Sequence, residues 1–149
     1  VLEYLKEIFL SLNPKLRKTE YKVNIDCPEN LNIDNYPGAF SQIITNFVIN
    51  SLVHGFNGRE SGKISVQISE SEDFIFLKYS DDGIGISHEN LTKIFDPFFT
   101  TQRGHGGSGL GLPIVFNLVT QILQGSISCD SEEGNGVLFT IIFPRVLRD

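Results

Sequence analysis

Three stretches of this chain place polar or conformationally free residues where chemistry can use them. In SQIITNFVINSLVHGF, residues 41–56, Gln42, Asn46, Asn50 and His54 recur every four positions. That spacing lines one side of a helix. Phe40, Ile43, Ile44, Phe47, Val48, Ile49, Leu52 and Val53 take most of the remaining circumference, which predicts a helix buried nearly all round with its amides in a cleft wall. A buried amide without a partner costs about 1–3 kcal/mol, and asparagine is a poor helix former, so the row needs a reason. A carboxamide oxygen is a hard ligand suited to Mg²⁺, and beside a triphosphate it binds the metal without adding negative charge. The plain alternatives are a row of surface polar groups and a hydrogen-bonded structural histidine at position 54.

The second stretch, YSDDGIGIS, follows a strand-like segment and brackets Ile84 with Gly83 and Gly85. A carboxylate at Asp81, held at a strand end, can accept a hydrogen bond from an exocyclic amine such as adenine's. Taken alone, the same residues also suit an ordinary Asp-Gly turn. Asp82 points the other way and is read as solvated. The third stretch is GHGGSGLGL, with five glycines between Gly104 and Gly111 directly ahead of an apolar, helix-like run. Glycine permits close backbone approach, and a helix start offers free N–H groups and the positive end of a dipole. Together they make a phosphate cradle that Arg103 could complete at a terminal phosphate. Pro113 fits the first helical turn, where a missing N–H does no harm. Between these stretches, KIFDPFFTT packs three phenylalanines around Pro97, as core anchors or as a hinge for the glycine-rich segment.

Two other glycine motifs are excluded. No lysine follows Gly109, so this is not a Walker A loop. Gly104, Gly106 and Gly109 match the dinucleotide fingerprint, with Asp130 21 residues later, but no strand directly precedes Gly104 and too little chain follows for a Rossmann unit.

The elements that must position these residues follow from periodicity. Residues 1–12 carry apolar side chains at helical intervals, and Asn13-Pro14 ends that helix. Residues 21–26 read as a strand and 28–37 as a turn-rich connection with a possible short strand at 31–33. Residues 38–56 read as one long helix and 57–62 as a loop. Residues 63–69 alternate, with Ile64, Val66 and Ile68 on one face, and predict a half-buried strand that pairs with 74–80 as a hairpin. Residues 81–107 are mostly irregular, with a helical turn around 89–94. Residues 110–123 form a helix with Gly125 as its C-terminal cap, and 126–130 with 137–143 close the chain as a hairpin around SEEGNG. Three helices and about five mostly antiparallel strands predict an α+β domain, a two-layer sandwich with helices on one face of a mixed sheet.

At 149 residues the chain has the length of one domain, enough to bury about two-thirds of its unfolded surface. A net charge of −6 argues against nucleic acid, which usually needs a basic face. No apolar run approaches 18 residues, so no membrane contact is expected, and no signal peptide is visible. The chain starts with valine and has no methionine, and a piece of a longer protein is the expectation. Cys27 and Cys129 match no metal spacing and are read as buried reduced thiols, which suits a cytoplasmic setting.

Four motifs stand in one order: NFVINSLVHGF, DDGIGI, IFDPFF and GGSGLGL. In order and spacing they resemble the N, G1, F and G2 boxes of the catalytic ATP-binding domain of sensor histidine kinases, in the superfamily shared with gyrases, heat-shock chaperones and mismatch-repair ATPases. GNGVLFTIIFP resembles the family's last sheet motif, so the likeness covers nearly the whole chain. The resemblance implies the Bergerat fold, with ATP and Mg²⁺ bound between the polar-striped helix and the glycine-rich segment. By matching position, Asn50 is implied as the Mg²⁺ ligand and Asp81 as the adenine acceptor. Gly83 and Gly85 would shape the adenine pocket. Gly107, Gly109 and Gly111 would line the phosphates, with Asn46 and His54 along the triphosphate. Ile86, Phe95, Phe98, Thr101, Arg103, Ser108, Leu110 and Leu112 complete the residues expected around the nucleotide. Val137 stands where many relatives carry a threonine that joins the adenine water network.

The hydrolytic members of the superfamily carry a glutamate four residues before the metal-binding asparagine. Here that position is Asn46, a poor general base, which favours transfer to an incoming side chain over hydrolysis. An imidazole acceptor already has a nucleophilic nitrogen, so positioning and charge neutralisation can suffice. The resemblance implies an acceptor histidine on a separate dimerisation domain and a response-regulator receiver domain downstream. His88-Glu89 mimics the acceptor dipeptide but lacks the neighbouring arginine and proline and is read as solvated. For His105, a phosphate contact and a bystander role stand equal. A serine-directed kinase of the anti-sigma type and a nucleotide-binding regulatory module without transfer activity are the competing readings.

Overall fold

The computed structural model describes residues 2–11, 20–29, 31, 37–56, 61–95 and 111–146. Five strands form one sheet: β1 (Glu20–Asp26), β2 (Ser61–Glu70), β3 (Phe74–Asp81), β4 (Ser126–Ser131) and β5 (Val137–Pro144), in the spatial order β1-β2-β3-β5-β4. β1 runs parallel to β2, and every other neighbouring pair is antiparallel. The helical segments are α1 (Leu2–Ser11), α2 (Pro37–Asn50), the single turn α3 (His88–Leu91) and α4 (Leu112–Asn117). The mixed five-strand sheet and its helical layer are those expected from the sequence.

Register explains which face of the sheet is covered. Ile64, Val66 and Ile68 of β2 sit opposite Asp81, Tyr79 and Leu77 of β3, and these in turn sit opposite Val137, Phe139 and Ile141 of β5. Side chains at paired positions share a face, so one row of the sheet is almost wholly apolar and buried. The row's polar exception is Asp81, at its very end. The opposite row carries Lys63, Ser65, Gln67 and Lys78 and meets water or is half-covered. Onto the apolar row pack Leu5 and Ile8 of α1, Ile43, Ile44, Phe47 and Val48 of α2, and Leu112 and Val115 of α4. Phe47 marks the centre: its ring stacks on Phe139 at 4.5 Å and meets Tyr79 at 5.0 Å between centroids.

Both long helices depart from the expected regular form. α2 passes into a π turn at Ser51–Gly55, where Phe56 N–H donates to the Ser51 carbonyl at 2.7 Å. α4 likewise passes into a π turn at Leu118–Ile122, with Leu123 N–H donating to the Leu118 carbonyl at 2.9 Å. A wider turn rotates later residues relative to an ideal helix, so the row every fourth residue does not continue unchanged through position 54. Gly125 does not supply the left-handed cap. That conformation belongs to Gln124, with φ of 59°, and Gly125 is needed for space, since a Cβ there would stand 2.2 Å from the Ile142 carbonyl oxygen. The turn around 89–94 starts earlier than expected, capped by Ser87, whose Oγ accepts from Asn90 N–H at 3.3 Å. Leu31 lies in a turn, its N–H donating to the Pro28 carbonyl at 3.3 Å. The rest of the strand considered at 31–33, the helix stop at Asn13-Pro14 and residues 57–60 of the loop after Phe56 fall outside the described residues, while Ser61 and Gly62, expected in that loop, already belong to β2. Cys27 is buried as expected, but Cys129 is only half-buried, because it lies on the edge strand β4.

Candidate functional site

α2 brings its amide row to the edge of the core. Asn46, Asn50 and His54 are half-buried, whereas Gln42 and Val53 are exposed. The helix is therefore not buried all round. Val53 is exposed because it stands seven residues after Asn46, on the polar side of the helix. Asn46 faces the start of α4. Gly111, the N-cap of α4, has φ of +68°, and a Cβ on it would stand 2.7 Å from Asn46 Oδ1. The left-handed conformation demands glycine at that position, and the Asn46 side chain lies directly against it. Two of the sequence motifs thus meet at one point.

Asn50 Nδ2 is buried and has no hydrogen-bond partner among the described residues. Half a turn of the carboxamide would put its oxygen in the same place, so the residue offers an unsatisfied amide arm to a cation or to a phosphate oxygen. Burial pushes the His54 imidazole below the usual histidine range, which holds it neutral. Among the described residues no three His, Cys, Asp or Glu side chains gather as a metal cluster.

At the end of β3 a compact polar knot surrounds Asp81. Its Oδ1 accepts from Gly83 N–H at 3.0 Å, and its Oδ2 accepts from the Ser51 hydroxyl at 2.7 Å. Ser51 Oγ lies 2.7 Å from the Tyr79 hydroxyl. Burial raises the Asp81 carboxyl above the ordinary range, opposed by its hydrogen bonds from Ser51, Gly83 and Val137. Asp82 is exposed, as expected, and its Oδ1 accepts from Lys63 N–H at 2.8 Å. Gly83 packs against the π turn: Ile84 N–H donates to the Gly55 carbonyl at 2.8 Å, and a Cβ on Gly83 would come 2.3 Å from that oxygen. Gly85, with φ of +78°, abuts the β4–β5 hairpin, where a Cβ would come 2.2 Å from the Glu132 carbonyl oxygen. Ile86 is tied to the same hairpin, its N–H donating to Ser131 Oγ at 2.8 Å, and Ser131 donates on to the Gly136 carbonyl at 2.6 Å.

The structure therefore gathers Asn46, Asn50, Asp81, Gly83, Gly85, Ile86 and Gly111 along the end of β3, the end of α2 and the start of α4. Phe95 is half-buried and pairs with Phe116, centroids 5.5 Å apart. Leu112 is fully buried, so its side chain anchors α4 in the core. Phe98, Thr101, Arg103, Gly107, Ser108, Gly109 and Leu110 lie outside the described residues. Sequence reasoning missed Ser51, Gly55 and Tyr79. Ser51 falls on the α2 stripe shared with Ile44 and Phe47, and Tyr79 falls on the inward row of β3. A polar atom at each of those apolar positions was the available signal.

The sequence profile of the histidine kinase-, DNA gyrase B-, and HSP90-like ATPase family matches residues 35–147. Sensor kinase CckA of Brucella abortus is 32% identical over 124 residues, which covers 75% of this chain and 13% of CckA. Sensor histidine kinase ZraS of Salmonella typhimurium is 39% identical over 113 residues, covering 75% of this chain and 23% of ZraS. The chain thus spans less than a quarter of the length of either relative. The nucleotide-free catalytic domain of histidine kinase ThkA superposes with a TM-score of 0.79 at 28% identity, covering 96% of this chain and 92% of that one. ThkA in complex with the response regulator TrrA gives a TM-score of 0.77 at 26% identity, covering 98% of this chain and 40% of that one. An amide row meeting a glycine-capped helix beside a buried strand-end carboxylate, in a chain with these relatives, belongs to the histidine kinase-, DNA gyrase B-, and HSP90-like ATPase family and is homologous to the catalytic domains of its sensor histidine kinases.

Proposed function

We propose that this chain is the catalytic domain of a two-component sensor histidine kinase. It binds ATP with Mg²⁺ against α2 and the glycine-rich segment before α4. It passes the γ-phosphoryl group to a histidine on a separate dimerisation domain, from which a response-regulator receiver domain takes it. The observation that carries this reading is the meeting of Asn46 with Gly111. It sets the amide row directly against the helix start that a triphosphate would use.

Asp81 reads the adenine amine as an acceptor, with Gly83 and Gly85 keeping the backbone close. Asn50 fits a Mg²⁺ ion through its unsatisfied amide arm, and the ion would neutralise charge on the transferred phosphoryl group. Asn46 and the neutral His54 border the phosphates. Asn46 has no basicity with which to activate water, so an incoming imidazole nitrogen, already carrying its lone pair, is the favoured nucleophile. The complex of ThkA with a response regulator supports a partner of that kind. No helix among the described residues is long and apolar enough to cross a membrane, which agrees with a catalytic domain working in the cytoplasm, where ATP is supplied.

A transfer assay with γ-labelled ATP, this chain and the dimerisation domain of its parent protein tests the proposal. Acid-labile, alkali-stable label on the dimerisation domain, lost on adding the receiver domain, is the expected result. Acid-stable label on a partner serine would instead establish a serine kinase. Nucleotide binding with no label on any partner would leave a regulatory module.

A further inference from the structure

Tyr79 and Ser51 carry buried hydroxyls at positions where the core asks for none. Tyr79 sits between Leu77 and Asp81 on the inward row of β3, its ring against Phe47. Ser51 opens the π turn at the end of α2. The Ser51 hydroxyl has one proton, and it goes to Asp81 Oδ2. Its lone pair must then accept from Tyr79 across the 2.7 Å contact. The chain runs one way, from Tyr79 to Ser51 to Asp81, and ends on a carboxylate. A second donor, Gly83 N–H, holds the other oxygen from a different element. With the backbone hydrogen bond from Val137, three donors from three parts of the fold hold the carboxylate plane, where a free side chain would turn about its last torsion. Against the burial that raises this carboxyl, the same bonds favour the ionised form, which can only accept.

We propose that Ser51 and Tyr79 are positioning residues that lock Asp81 as a pure acceptor, so that the site selects a base bearing an exocyclic amine over one bearing a carbonyl there. The inference rests on the assignment of Asp81 to the base. A carbonyl facing a fixed, ionised carboxylate meets acceptor against acceptor and leaves the base's oxygen and the facing carboxylate lone pair without a donor, the kind of mismatch from which strong discrimination comes. A carboxyl free to rotate or to hold a proton would tolerate either base.

Non-hydrolysable ATP and GTP analogues are titrated by calorimetry into the 149-residue chain and into Ser51→Ala, Tyr79→Phe, Asp81→Asn and the core control Ile68→Val. Ser51→Ala is expected to weaken the adenine analogue about tenfold, and Tyr79→Phe about threefold, with the guanine analogue changed less than about twofold. Ile68→Val is expected to lower the Tm and leave the adenine-to-guanine ratio where it was. Tyr79→Phe keeps the ring and its packing, so it carries the test alone if Ser51→Ala fails to fold. Hydroxyl variants that lower the Tm like the control, with an unchanged ratio, overturn the inference and leave Asp81 as the base acceptor. Wild-type protein with no preference, and Asp81→Asn with none, removes the assignment of Asp81 and this inference with it.

Discussion

At the residue scale the site depends on polar groups whose surroundings set their charge and reach. Asn50→Ala removes the unsatisfied amide arm without touching the core. Mg²⁺-dependent phosphoryl transfer is expected to fall about a hundredfold, with circular dichroism unchanged; transfer at the wild-type rate would remove Asn50 from the metal's ligands. His54 carries a pH signature. Burial lowers its folded pKa, so near the ordinary value of about 6.5 the unfolded chain takes a proton that the folded chain refuses. Stability present above that value is lost as the pH falls below it. His54→Gln should flatten this loss between about pH 7 and pH 5 in denaturant titrations; an equal slope in the variant would assign the loss elsewhere. Asp81 works in the opposite direction, since its raised carboxyl gains stability as it takes up a proton on acidification. The comparison of His54→Gln with wild type isolates one term from the other. Asn46, Asn50 and Asp81 were legible because amides at a period of four and a carboxylate before two glycines are unusual in apolar surroundings. Ser51 and Tyr79 were not singled out, because each lies in an apolar row, where small size accounts for Ser51 in its helix and β-propensity for Tyr79 in its strand.

At the element scale, the end of α2 and the turn after β3 interlock through glycine. A methyl group on Gly83 would meet a backbone carbonyl, which has no rotamer by which to move aside. Gly83→Ala is expected to cost about 2–3 kcal/mol in denaturant unfolding and to weaken nucleotide binding in parallel; a variant of wild-type stability would show that the turn can shift. Existence and type of the strands were readable from period-two alternation in β2 and β3 and from the glycine-rich turn between β4 and β5. The π turns were not, because a five-residue wide turn leaves the apolar pattern of LVTQI or SLVHG compatible with an ordinary helix. The cap at Gln124 was missed for a related reason. Glycine next door looked like the conformational need, when it met a need for space.

At the scale of the whole molecule, the alternation of buried and exposed positions made the two-layer arrangement legible. The spatial order of the strands was not, since nothing in the composition of β1 says that it joins the sheet parallel to β2 and at the edge. That placement separates the strands by the sequence distance each must cover. From β2 to β5 the sheet is antiparallel, and the β2–β3 and β4–β5 pairs form between chain neighbours. β1 must reach its partner across the long connection that contains α2, and closure of such connections is slow. The outermost parallel strand is therefore expected to be the last to assemble and the first to open. In amide hydrogen exchange, Glu20–Asp26 should lose protection before Phe74–Asp81. Equal protection would mean that the sheet opens as one unit. The helix that bears the amide row lies in the very segment that carries this strand to its place. A ligand seated on that helix would thus slow the release of a strand it never touches, and occupancy would become readable at the far margin of the sheet.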